Sequence, residues 1–100
     1  MHARSIAALL ALLLIPAAAA AQEAPMGQMI LDNGSSMSAD LYVDGDFACA
    51  APAHSSCTAD VTAGFHIAFI VFADGDYIIS DTIDVPGEMS ITLPVRDLMF

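Results

Sequence analysis

The chain has 100 residues, 57% of them hydrophobic and 14% charged, and twelve acidic side chains against two basic ones give it a formal charge of −10. A chain of that length has room for one domain. With no lysine and two arginines it is excluded as a nucleic-acid binder, since phosphate contacts need Lys and Arg, and anionic membrane surfaces repel it for the same reason.

Met1-His2-Ala3-Arg4-Ser5 is a short, weakly basic start, followed by an uncharged apolar run over residues 6–15. Pro16 interrupts that run, and Ala17, Ala18, Ala19, Ala20 and Ala21 supply the small residues a signal peptidase requires. This three-part layout predicts a secretory signal peptide over residues 1–21, cut before Gln22. The apolar core is about half the length of a spanning helix, so stable membrane insertion of the mature chain is not expected. Cleavage leaves 79 residues and removes Arg4. One arginine then stands against twelve carboxylates, a formal −11. Residues 22–25 read as a loose leader, and residues 26–100 as a single domain.

From Met26 onward, turn signals recur at short intervals: Asp32-Asn33-Gly34, Asp44-Gly45-Asp46, the Pro52 region, Ala63-Gly64, Asp74-Gly75-Asp76 and Pro86-Gly87-Glu88. The runs between them are rich in β-branched and aromatic residues, and none shows helical periodicity for three turns. Such spacing predicts an all-β fold, a small antiparallel β-sandwich of six to seven strands. Residues 38–43 place Leu41 and Val43 on one face, with Asp40 and Tyr42 on the other. Residues 57–62 alternate Cys57, Ala59 and Val61 against Thr58, Asp60 and Thr62. Residues 89–95 set Met89, Ile91, Leu93 and Val95 against Ser90 and Thr92. Each reads as a half-buried strand. Residues 65–73 are apolar on both faces except at His66, which predicts a central strand covered on both sides. Residues 77–85 read as its hairpin partner across Asp74-Gly75, a dipeptide suited to tight turns. The two segments that contain Asp-Gly-Asp look alike: a hydrophobic strand, the turn, and then an aromatic, Phe47 or Tyr77.

Cys49 and Cys57 are the only cysteines. In an oxidising compartment an even count predicts a disulfide. The seven residues between them can return as a hairpin, and closing so short a loop contributes roughly 2.5 kcal/mol in the chain-entropy account. A redox pair normally has two intervening residues, and a metal site needs further ligands. A domain of this size needs such a cross-link, because its core alone supplies only a few kcal/mol.

The order of these features resembles a PEGA-type domain, a small β-sandwich found in bacterial surface and exported proteins. The resemblance covers residues 41–95. It rests on Leu41-Tyr42-Val43-Asp44-Gly45, Pro52, Thr62-Ala63-Gly64-Phe65-His66, Asp74-Gly75-Asp76-Tyr77 and Ile83-Asp84-Val85-Pro86-Gly87-Glu88, with an alternating strand to close. Ala51-Pro52-Ala53-His54 stands where the family has its Pro-Glu-Gly-Ala loop, and the cysteine pair is an addition. The resemblance implies an accessory or interaction module and brings no catalytic residues with it.

Little else in the chain carries chemistry. Asp44, Asp46, Asp74 and Asp76 are hard-oxygen candidates for calcium if the two turns are neighbours, yet neither segment has the distal glutamate of an EF-hand loop of about twelve residues. His54 lies in the loop closed by the cysteines. His66 reads as a hydrogen-bonded histidine at a sheet margin. Ser55 or Ser56 beside His54 makes a poor triad, since adjacent residues in a tight loop do not reach that geometry. The ending Leu98-Met99-Phe100 reads as a last strand or a tail packed on the domain. The expectation is a periplasmic or secreted protein without enzymatic activity or cofactor, which meets an unknown protein or surface partner through its acidic turns and the loop over residues 50–56. Calcium binding by the turns, or inhibition of a protease by Pro52-Ala53-His54, are the alternatives.

Overall fold

The computed structural model describes residues 25–97. The expected signal peptide over residues 1–21, residues 22–24 of the expected leader and residues 98–100 lie outside the described part. Pro25, read as leader, is tied to the fold, its carbonyl accepting a hydrogen bond from Ala63 N–H at 3.0 Å.

The described residues form nine strands and no helix: β1 (Met26–Gly34), β2 (Ala39–Val43), β3 (Asp46–Ala51), β4 (Ser55–Thr62), β5 (Gly64–His66), β6 (Ala68–Phe72), β7 (Tyr77–Ile79), β8 (Ile83–Val85) and β9 (Ser90–Arg96). They make a three-stranded sheet in the order β4-β1-β9, a four-stranded sheet in the order β3-β2-β6-β7, and a two-stranded ribbon of β5 and β8. All pairings are antiparallel except that of β1 with β9, which is parallel.

Alternation decides which side chains go inward. In β2, Ala39, Leu41 and Val43 are buried while Asp40 and Tyr42 are half-buried on the other face, as period-two patterning dictates. Met29 and Leu31 of β1, Ala59 and Val61 of β4, and Val95 of β9 come from one sheet. They join Leu41, Ala51 and Ile70 of the other, and Val85 of β8, in one apolar cluster.

Five expectations are corrected. The Asp32-Asn33-Gly34 turn signal lies within β1, and the chain turns over residues 35–38 instead. Asn33 is fully buried. Its amide donates to the carbonyls of Met37 (2.8 Å), Pro52 (3.1 Å) and Ala51 (3.2 Å), and its Oδ1 accepts from the Ser35 N–H and hydroxyl. A residue type that signals a turn serves here as an internal tie, because its side chain replaces the backbone partners that a turn would supply.

The apolar run over residues 65–73 is not one strand covered on both faces. It breaks at Ile67 into β5 and β6, which belong to different sheets. Phe65 is 74% exposed, and the outer face of β6 is only half-buried. Residues 77–85 divide likewise. β7 pairs with β6 as expected, whereas β8 pairs with β5. These two breaks raise the strand count from the expected six or seven to nine. Lastly, β3 and β4 do not form a hairpin. β3 pairs with β2 and β4 with β1, so residues 52–54 carry the chain from one sheet to the other.

Candidate functional site

Both Asp-Gly turns connect strands of the four-stranded sheet, but they differ in type. Asp44 and Gly45 have φ of 52° and 92°. Positive φ at both positions is the two-residue connection whose twist suits a hairpin. The second turn is longer. Gly75 N–H donates to Phe72 O at 2.9 Å, Gly75 has φ of 95°, and Phe72 N–H donates to Asp76 O at 2.8 Å. That is a tight turn closed by a left-handed glycine.

The register of β2 with β6 pairs Val43 with Ala68 and Ala39 with Phe72. The Asp44 turn follows Val43 and the Asp74 turn follows Phe72, so the two lie at opposite ends of the sheet. The structure therefore does not bring Asp44 and Asp46 to Asp74 and Asp76, and a calcium site shared between the turns is not assembled. Among the described residues no group of three or more His, Cys, Asp or Glu side chains is placed to hold a metal ion.

Asp44 has a different task. Its Oδ1 accepts from Ile67 N–H at 2.9 Å, and its Oδ2 lies 2.5 Å from His66 Nδ1. The other ring nitrogen, Nε2, lies 2.6 Å from the Thr62 carbonyl. Nδ1 faces a carboxylate and Nε2 a carbonyl, an arrangement that favours the protonated ring. The His66 side chain is 10% exposed, against 49% for Asp44. The hydrogen bond to Asp44, and then that to Thr62, raise the histidine above its ordinary value of 6.5. The bonds from His66 and Ile67 hold Asp44 below 3.8. The pair latches the β2–β3 turn to the β5–β6 break, which bears out the reading of His66 as a bonded histidine at a sheet margin. A recess of 300 Å³ lies beside it, between β3 and β4, lined in part by Phe47, Asp60, Thr62 and His66.

Cys49 and Cys57 form the disulfide, with Cα atoms 6.0 Å apart. They sit in β3 and β4, edge strands of different sheets, so the bond closes one flank of the molecule. The loop beside it is exposed at Pro52, Ala53 and His54, yet its backbone is engaged. His54 N–H donates to Ser35 O at 3.0 Å, and the Pro52 carbonyl accepts from Ser55 N–H and from Asn33.

On the outer face of the four-stranded sheet lies a feature the sequence reading did not assemble. Phe47, Tyr42, Phe69 and Tyr77, one from each of β3, β2, β6 and β7, form a continuous row. Successive ring centroids are 5.7, 6.0 and 5.3 Å apart, within the range of favourable aromatic pairs. Phe47 is 58% exposed, Tyr77 62%, and neighbouring Ile79 60%. A one-residue bulge makes the row possible. The register shifts between Leu41, opposite Cys49, and Tyr42, opposite Phe47. Residues 47 and 49 would otherwise share a face. The extra residue, Ala48, sends Phe47 outward while Cys49 turns to the core. The visible signal was the aromatic that follows each Asp-Gly-Asp.

No protein family matches the chain, and neither curated proteins nor solved structures include a similar one.

Proposed function

We propose that this protein is an exported, non-catalytic interaction module, a small β-sandwich of PEGA type, acting in the periplasm or outside the cell. The aromatic row carries the reading. A contiguous apolar stripe across every strand of a sheet, exposed at both ends and with Asp40 on the same face, is the surface expected of a protein that meets a partner. The sandwich reading is supported by the shared core, to which β1 and β4 contribute from one sheet and β2 and β6 from the other. Export is supported by the disulfide, which suits an oxidising compartment. Among the described residues no helix is long and apolar enough to cross a membrane.

The contact surface thus moves from the acidic turns and the loop over residues 50–56 to the sheet face. The turns sit at opposite ends, and the loop's His54 N–H and Pro52 carbonyl are bound inward. The test is retention of envelope proteins on the immobilised protein and on its Phe47→Ser/Tyr77→Ser variant. A protein retained by the first and lost from the second, with the disulfide and melting temperature of the variant intact, is the expected result. Equal retention, or none, overturns the reading.

A further inference from the structure

The row ends at β7, and β7 is an edge. Phe72 N–H donates to Asp76 O at 2.8 Å and Ser80 N–H to Ala68 O at 2.9 Å. These two bonds bracket the β6–β7 ladder and fix its phase. In an antiparallel pair, residues that exchange hydrogen bonds alternate with residues that do not. Ile78, opposite Ile70, therefore directs its backbone toward β6. Tyr77 and Ile79 direct their N–H and C=O groups away, where no strand lies among the described residues.

Natural edges are blunted by lysine, proline, bulges or cover. β7 is only three residues long, which itself blunts an edge, but among the described residues it carries no lysine, proline, bulge or covering strand, and Tyr77, Ile78 and Ile79 are 62%, 44% and 60% exposed. Beside it is a groove of 490 Å³ between β7 and β9, to which Met37, Phe72, Ile78 and Val95 contribute apolar surface. The groove also holds Asp76 and Asp97. Its one base, Arg96, is turned to Asp32 at 3.0 Å. Exposed Asp74 and Asp81 flank the strand.

We propose that the free edge of β7 takes up an extended, cationic segment of a partner protein as a fifth strand of the β3-β2-β6-β7 sheet. This rests on the reading of the chain as an interaction module and names its partner's chemistry. The backbone of the added strand pairs with Tyr77 and Ile79. Side chains on the Ile78 side enter the groove, those on the other side lengthen the aromatic row beyond Tyr77, and lysines or arginines at its ends meet Asp74, Asp76, Asp81 and Asp97. Strand addition of this kind takes affinity from main-chain bonds and specificity from alternate side chains. A second copy fits worse, since pairing two β7 edges sets the same carboxylates against each other on chains that each carry −10. Residues 98–100 bring no base to the groove.

The probe is a synthetic peptide alternating lysine and valine over roughly ten residues, longer than a typical strand. A second probe has the same sequence with alternate backbone nitrogens methylated, which keeps the charge but removes donors. The first peptide is expected to bind, and to slow amide exchange at Tyr77 and Ile79. The second is expected to bind at least about tenfold more weakly, a difference of about 1.4 kcal/mol. Ile79→Pro, which removes an outward N–H and leaves the ladder to β6 alone, should cost a similar factor, while Phe65→Ser on β5 serves as the unaffected control. Equal affinity for the two peptides reduces the effect to bulk charge and overturns the proposal. So does the absence of binding at about 1 mM, a dimer held through β7, or a gain in affinity when residues 98–100 are deleted. Weakening by Phe47→Ser but not by Ile79→Pro also overturns the edge, yet leaves the sheet-face reading standing.

Discussion

His66 carries the clearest consequence of a single residue's surroundings. Its value is raised above 6.5, so its contribution to stability is complete below that unfolded value and is lost as pH rises through the folded value above it. Asp44 is lowered from 3.8, so its contribution is complete above 3.8 and is lost as pH falls through the folded value below it. The latch is therefore fully formed between 3.8 and 6.5. Melting temperature is expected to fall on both sides of that window. In His66→Gln the alkaline decline attributable to this site should vanish, and thermal unfolding across a pH series checks it. An unchanged alkaline slope in the variant would refute the assignment. The histidine's marginal position was legible in the sequence, but its partner was not, because Asp44 lies 22 residues away and only the register of two strands brings it near. Asn33 was misread for a related reason. Its composition signal is the same whether it turns the chain or ties it from within.

At the scale of elements, alternation served well where one face is buried and the other wet, as in β2 and β4. It failed where the chain changes sheets. The apolar run over residues 65–73 carries no mark of its break at Ile67, because the bonds that stop it come from Asp44. The bulge at Ala48 was equally hidden, since alanine suits either face. Close approach was hidden too. A β-carbon on Gly27 would stand 2.6 Å from Val85 Cγ1 and 2.7 Å from the Pro86 carbonyl, so the β8–β9 turn rests directly on β1. Gly27→Ala is expected to destabilise by about 1–3 kcal/mol, as overpacked interiors do. Urea unfolding measures it, and a loss below about 0.5 kcal/mol, the range of a neutral surface change, would show that the turn yields freely.

The whole molecule is held by a modest core and one covalent bond. The disulfide joins two sheets rather than two arms of a hairpin, and thus fastens the flank where β3 and β4 meet. Replacing both cysteines by alanine is expected to cost about 2–4 kcal/mol, read as a lower urea midpoint. A shift of less than about 1 kcal/mol would mean that the core alone sets the spacing of the sheets. The cysteine pair was legible because it is a local pattern. The opposite placement of the Asp-Gly turns was not, since it depends on β2 and β6 running antiparallel with three strands between them in the chain.

The parallel pairing of β1 with β9 bears on how the protein comes into being. β1 is the middle strand of its sheet, yet one of its neighbours lies 62 residues further along, as the Gln28–Ser90 contact marks. During synthesis the first strand leaves the ribosome long before that neighbour exists. Pairings so distant in sequence set a slow folding rate, in the range of milliseconds to seconds. Until the last strand arrives, β1 offers an open side to whatever strand it meets, including that of another nascent chain. β1 thus depends on β9, 62 residues further along, for the cover of its second side.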